Sequence, residues 1–428
     1  MNPLQSFLAG KAGVAGPAPA VSGNELARLI APTAPADFAR DRFGRRSLMN
    51  RGEPDRFDHI FGWSRLDAAL ERGRGIADER FNVTASYAGG EADGSDKAMF
   101  RAELGQVKEL LRNGATICIT NIHMADPALA EWAQAVRAQL GFTGTVGINC
   151  YASPDGAGLP MHFDKRVATT LQISGSKRWT YSTEAAVAWP RENGVWRNGR
   201  IEPAQPDPVR PPDDMTFEDV ELQPGDLLCL PAGAWHAARG IGHSLALNLY
   251  FAPRNLFDQI GPLVGEFVGS DPAWRGGPPA LGGTSDGTIP PEVATYYAAR
   301  LRDLAAECDR LAQDDGATGA RWLNALSQAP FTGWSPRPPR DLPPATAADR
   351  FAIARPPLPF LRTADAVLIP CDRGVMRFAP AFAALVERLN TADAALSVPD
   401  ILALQPGEPH EAIAFLKALF QNGLLDKR

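Results

Sequence analysis

Residues Asn149–Trp179 read N-C-Y-A-S-P-D-G-A-G-L-P-M-H-F-D-K-R-V-A-T-T-L-Q-I-S-G-S-K-R-W, and Leu222–His236 read L-Q-P-G-D-L-L-C-L-P-A-G-A-W-H. Both stretches are short runs rich in Val, Ile, Leu, Thr and aromatic residues, cut by Gly, Pro, Asp and Ser. That punctuation predicts an all-β sandwich or barrel, not alternating strands and helices. The same pattern continues outward in T-I-C-I-T from Thr116, V-G-I-N-C-Y from Val146 and L-A-L-N-L-Y-F from Leu245.

The chemistry-bearing residues sit inside this β-rich middle. Six histidines occur in the chain, and His162 lies two residues before Asp164. On a strand, residues i and i+2 share a face, so an imidazole and a carboxylate stand side by side. If L-L-C-L-P folds back beside that strand, His236 completes a triangle. Two imidazoles and one carboxylate on one face of an octahedral ion leave three positions open, the arrangement of non-haem Fe(II) oxygenases. A bidentate 2-oxo acid fills two of them and O₂ the third. An H-x-D triplet alone is a weak motif, and its weight here comes from the β run it opens and the P-G-D turn before His236. Lys177 is the second component, a cation for the far carboxylate of a 2-oxo diacid. Taken alone it reads better as a solvated turn lysine, and Arg178 is its rival. His243 is weighed between a group hydrogen-bonding near the metal and a structural histidine, with the structural reading preferred for it and for His123. His59 and His410 carry no signal.

Lys plus Arg number 43 and Asp plus Glu 49, a net charge of −6. This balance argues against a general nucleic-acid surface. No apolar run reaches the about 20 residues of a membrane span, and the expectation is a soluble cytoplasmic protein. Cys118, Cys150, Cys229, Cys308 and Cys371 are odd in number and widely spaced, which reads as small buried hydrophobes. Residues 1–34 are Ala-, Gly- and Pro-rich and read as a flexible N-terminal segment. Irregular apolar residues from Ala36 to Leu70 read as short helices. A Pro-, Arg- and Asn-rich insertion runs from Trp189 to Asp214. Val293, Tyr297, Leu301, Leu304, Cys308 and Leu311 recur at helical spacing and require a packing partner. Pro336–Pro344 reads as a linker, followed by a small α+β domain at 345–428.

The two quoted stretches resemble the JmjC-type cupins of the ribosomal-oxygenase group, Fe(II)- and 2-oxoglutarate-dependent protein hydroxylases. The likeness extends to F-A-R-D-R-F-G-R-R-S-L-M-N-R-G near the start and to L-L-R-N-G-A-T-I-C-I-T-N-I-H. It implies a double-stranded β-helix (jelly-roll or cupin) catalytic domain at 35–257 with a helical entry segment, a helical dimerisation segment at 258–335, and a winged-helix-like C-terminal domain at 345–428. It makes His162, Asp164 and His236 the iron ligands, Lys177 the partner of the distal carboxylate of 2-oxoglutarate, and Asn149 and, more weakly, Asn248 residues of the cofactor pocket. Tyr151, Trp179, Tyr181 and Tyr250 are expected in its walls. Met161 replaces a residue that is proline in many relatives, and the insertion has no counterpart, so both bear on substrate.

The implied activity is hydroxylation of a protein or peptide side chain with Fe(II), 2-oxoglutarate and O₂, by a homodimer with no membrane or nucleic-acid partner; demethylation of a methyl-lysine is a lesser alternative. Two rival classes are a catalytically silent binding cupin, which requires a broken triad or a lost cation, and a metal-dependent cupin enzyme without 2-oxoglutarate, which requires more histidines.

Overall fold

Apolar runs bounded by turn residues become twelve strands of one hydrogen-bonded sheet system: β1 (Leu48–Asn50), β2 (Asn82–Tyr87), β3 (Phe100–Ala102), β4 (Ala115–Thr120), β5 (Thr145–Ser153), β6 (Gly158–Phe163), β7 (Val167–Ser182), β8 (Gly194–Arg197), β9 (Arg200–Glu202), β10 (Phe217–Leu222), β11 (Leu227–Leu230) and β12 (His236–Ala252). The computed structural model describes residues 3–10, 23–87, 100–278, 287–331, 333–335, 338–342, 346–354, 357–392, 394–404 and 408–428. They form two units, residues 1–253 with 329–335 and residues 254–328 with 336–428.

In the first unit the main strand order is β1-β11-β7-β12-β5-β4-β2-β3, with β10 also on β7, β6 on β12 and β8, and β9 on β8. The pairings within it are antiparallel, as a jelly roll requires. Side-chain alternation divides the central strands into two faces. Val146, Ile148, Cys150 and Ala152 of β5, with Leu245, Leu247, Leu249 and Phe251 of β12, join one core. That core also takes Phe57, Phe61, Trp63 and Leu66 from the N-terminal part, and Leu129, Trp132 and Val136 from the helix Pro127–Leu140. The intervening residues, Asn149 and Tyr151 of β5 and Asn248 and Tyr250 of β12, therefore face the sheet interior. The polar residues are the ones left over when the helices claim the apolar set.

Two strands are much longer than the sequence runs that compose them. T-T-L-Q-I-S and K-R-W-T-Y-S join into the 16-residue β7, and the run ending L-A-L-N-L-Y-F reaches back to His236 in the 17-residue β12. Their register shifts between Ile241 and Leu245, where Gly175 takes φ +64°. A Cβ at Gly175 would lie 2.0 Å from the His243 carbonyl oxygen, so the bend admits only glycine.

Part of the N-terminal segment expected to fray is anchored. Pro3–Leu8 is helical, and buried Phe7 meets Trp63 with ring centroids 5.2 Å apart; residues 11–22 lie outside the described residues.

In the second unit, helices Leu256–Ser270 and Pro291–Ala312 contact each other and the helix Asp315–Ser327, and Val293, Leu304 and Leu311 of the 293–311 face are partly covered, but neither helix has a fully buried residue. Tyr297 and Leu301 are exposed, and Cys308 is exposed where a buried thiol was expected. Helix Asp315–Ser327 packs Leu323 and Leu326 on Ala366 and Leu368. Two three-stranded sheets follow, with helices Ala383–Thr391, Val398–Leu404 and Pro409–Gln421, around a core that includes Phe351, Phe415 and Leu425. Within the expected linker, Arg340 donates to the Leu425 carbonyl at 2.6 Å, which ties it to this core.

Candidate functional site

β6 carries His162 on its penultimate residue, and β12 opens at His236 directly opposite it in register. The partner of the His162 strand is thus β12 itself. L-L-C-L, which sequence reading set beside that strand, pairs instead with β7 and β1. The turn Pro231–Ala234, closed by Ala234 N donating to the Pro231 carbonyl, ends that run before His236, so the histidine belongs to the next strand. Asp164 follows β6, its main-chain carbonyl accepting from Gly233 N at 2.8 Å. One ligand atom from each of His162, Asp164 and His236 lies within 4.8 Å of the others.

Both imidazoles are oriented from behind. His162 Nδ1 is 2.7 Å from the Pro160 carbonyl and His236 Nδ1 is 2.9 Å from that of Ala234. Donation by each Nδ1–H to its carbonyl leaves the Nε2 lone pairs free, the polarity that metal-binding histidines need. The rings lie 4.1 Å apart between centroids, and His236 Nε2 is 4.0 Å from Asp164 Oδ2. Burial and the neighbouring His162 lower the His236 pKa to about 4, so its imidazole is neutral. Trp179 covers its other face at 5.9 Å.

Strand alternation separates Lys177 from its rival, because Arg178 is exposed while Lys177 is 6% exposed. Its Nζ lies 5.5 Å from the Tyr151 ring centroid, and no carboxylate among the described residues pairs with it. Burial lowers its pKa from 10.5 to about 8. The Cys118 and Cys150 thiols beside it are pushed up by burial and stay neutral. An enclosed cation without a counter-charge is a receptor for an anion.

Asn149 and Asn248 face each other across β5 and β12. Asn149 Oδ1 accepts from Asn121 N at 3.2 Å, whereas the buried Oδ1 of Asn248 has no partner. Tyr151 stands with Lys177, but Tyr181 turns away, donating to Glu218 at 2.5 Å and lining a separate cavity of about 320 Å³ with Arg42 and Arg46. His243 is exposed at the bend and is remote from the ligand cluster, while His123 is buried and accepts from Ile148 N, a structural role. Asn121 was missed by sequence reading. It sits at φ 58° after β4, accepts from Tyr250 Oη at 2.6 Å, and is marked in the sequence only as an Asn ending a strand.

The insertion forms the β8–β9 hairpin, and β8 pairs with β6 at His162–Val195 and Phe163–Gly194. Asn193 Oδ1 accepts from Lys165 N at 3.0 Å, and Trp196 meets Trp235 edge-on. It adds a strand beside β6, which bears His162.

The strand order and antiparallel pairing are those of a double-stranded β-helix, the cupin fold, with two histidines and an aspartate brought together on it. Residues 126–258 match the JmjC domain family. The chain is similar to the uncharacterised protein YxbC of Bacillus subtilis (strain 168), 26% identical over 243 residues that cover 54% of this chain and 72% of that one. Ribosomal oxygenase 1 of Gallus gallus is 28% identical over 236 residues, 53% of this chain and 36% of that protein, so the chain spans about a third of that relative's length. The fold follows Escherichia coli YcfD, a ribosomal oxygenase solved with cobalt and 2-oxoglutarate, with a TM-score of 0.54, 16% identity, and coverage of 92% of this chain and 98% of that one.

Proposed function

We propose that the JmjC core is an Fe(II)- and 2-oxoglutarate-dependent oxygenase that hydroxylates a side chain of a protein or peptide. The observation that carries the reading is an intact His162, Asp164 and His236 cluster beside a buried lysine with no carboxylate of its own. The donor set fits Fe(II): two imidazoles with Nδ1 already engaged and one carboxylate leave part of an octahedron open. His162, Asp164 and His236 would hold the metal, Lys177 would receive the distal carboxylate of 2-oxoglutarate, and Asn149 and Asn248 would line its pocket. The unpartnered Asn248 Oδ1 leaves one buried acceptor for a donor that the chain does not supply.

With Fe(II), 2-oxoglutarate and O₂ bound, the group supplies decarboxylation to succinate and CO₂ coupled to placing one oxygen atom in a C–H bond. The protein's part is to fix both imidazoles by backbone carbonyls, to cover His236 with Trp179, and to compensate the far carboxylate with Lys177. The names of the relatives, ribosomal oxygenases, support a protein substrate. The test is anaerobic titration with Fe(II) and then 2-oxoglutarate. A visible charge-transfer band is expected, followed by succinate formation in air; folded, metal-loaded protein without the band overturns the reading.

The proposal extends to a homodimer through the second unit. Leu256, Phe257, Ile260, Tyr297 and Leu301 are exposed on helices that have no fully buried residue. Sedimentation is expected to give twice the 45.9 kDa chain mass, and the paired change Phe257→Asp with Leu301→Asp is expected to give monomer. A monomeric parent protein would end this part of the proposal. No described helix is long and apolar enough to cross a membrane.

A further inference from the structure

The interior face of β5 and β12 carries a second cation whose role the cosubstrate leaves open. Arg166 follows Asp164 by two residues and is only partly buried. Its guanidinium carbon lies 4.2 Å from the Tyr250 ring centroid, and it also hydrogen-bonds that residue. No carboxylate among the described residues pairs with it. Asp164, the acid nearest in sequence, is directed to His236.

The perch under this guanidinium is built. Tyr250 stands opposite Gly147, where a Cβ would lie 2.2 Å from the tyrosine oxygen, so the phenol lies across the glycine. Its hydroxyl donates to Asn121 Oδ1 at 2.6 Å, and Asn121 N donates to Asn149 Oδ1. Gly147, Asn121 and Asn149 thus position the one ring, Tyr250, on which the arginine rests. Lys177 stands over Tyr151 and Arg166 over Tyr250, opposite Gly147, so four residues of β5, about 13 Å of strand, separate the two cations. The buried Lys177 end suits a small diacid; the partly exposed Arg166 end suits a larger molecule.

We infer that Arg166 is a specificity-determining residue that binds a carboxylate of the polypeptide substrate, held close to the residue that is oxidised. This rests on the oxygenase reading above. A guanidinium fixed over a ring keeps its N–H edge available for a planar, bidentate acceptor, which a carboxylate is. An unpaired cation at the entrance also repels a basic residue at the same substrate position, so it selects in both directions. The carboxylate belongs to an Asp or Glu side chain or to the substrate's C-terminus, two sources of one chemistry.

The test uses the full chain loaded with Fe(II) and 2-oxoglutarate, acting on randomised peptides prepared with free and with amidated C-termini. Peptides that gain one oxygen are sequenced by mass spectrometry. The parent protein is expected to enrich Asp or Glu at one fixed offset from the oxidised residue, or to require the free C-terminus, which tells the two sources apart. Arg166→Gln is expected to flatten that preference roughly tenfold, and Arg166→Glu to invert it toward Lys and Arg. Inversion cannot arise from a misfolded variant. An unchanged preference in Arg166→Glu, or no acidic preference in the parent, overturns the inference. If the parent gives the charge-transfer band and oxidises no peptide, the polypeptide reading falls and takes this one with it; if the band is missing, the iron reading has failed first.

Discussion

Asp164→Ala protein is expected to bind Fe(II) more than about a hundredfold more weakly than the parent and to form succinate only at background rate, with an unchanged melting temperature in the metal-free state. The separation of the two effects follows from how Asp164 is held. Its carboxylate is 28% exposed and its ion contact is His236 at 4.0 Å, while its position is fixed by its own main-chain carbonyl accepting from Gly233 N. Removing the side chain leaves that bond and the β6–β12 register in place, so the pocket survives without one donor. Asp164→Asn, which keeps shape and loses charge, is expected to fall between the two. Isothermal titration with Mn(II), as a redox-silent stand-in for Fe(II), and thermal melts of the same preparations check both halves. Metal affinity within a few-fold of the parent would remove Asp164 from the ligand set.

The second large effect is a trade of stability for binding at Lys177. Its folded pKa of about 8 lies below the 10.5 of an exposed lysine. The unfolded chain therefore holds the proton more tightly, and the stability of the cosubstrate-free protein rises as pH climbs from about 8 toward about 10.5. Below that window the folded state carries a penalty on the order of 3 kcal/mol. Lys177→Met removes the penalty and is expected to raise the melting temperature of the cosubstrate-free protein by several degrees, about 2–4 °C per kcal/mol. The same change is expected to weaken 2-oxoglutarate binding by at least about a hundredfold, because a buried charge-assisted bond is lost. In the parent, 2-oxoglutarate binding weakens as pH rises above about 8, where the free lysine gives up its proton; Lys177→Arg keeps the charge and flattens that dependence. Calorimetry across pH measures the binding, and a variant that is destabilised yet still binds the diacid would refute the assignment.

The ligand cluster was legible because its two parts obey short-range rules. His162 and Asp164 follow strand alternation, and Lys177 against Arg178 is decided by the same alternation, once a strand is assumed. What set His236 in place was less visible. The run L-L-C-L carries the apolar signal, but the pairing belongs to the strand beginning at His236, whose first residues are too small and polar to announce it. The continuity of β7 was hidden for a related reason. S-G-S reads as a break, and in the structure the glycine is what allows the strand to bend without ending. Arg166 and Asn121 depend on contacts between residues far apart in sequence. Tyr250 meets Asn121 across 129 positions, which no local pattern encodes.

The continuity of β7 and β12 has a consequence for how the pocket can open. Each strand is paired on both sides at the residue that matters, β7 between β10 and β12 at Lys177, and β12 between β6 and β7 at His236. Lys177 and His236 ride on those strands, so neither belongs to a segment that can fray by itself. The cation and this histidine share the lifetime of the whole sheet, and amide protons beneath them exchange through the rarest openings of the unit. The floor of the pocket therefore keeps one geometry for as long as the sheet itself is intact.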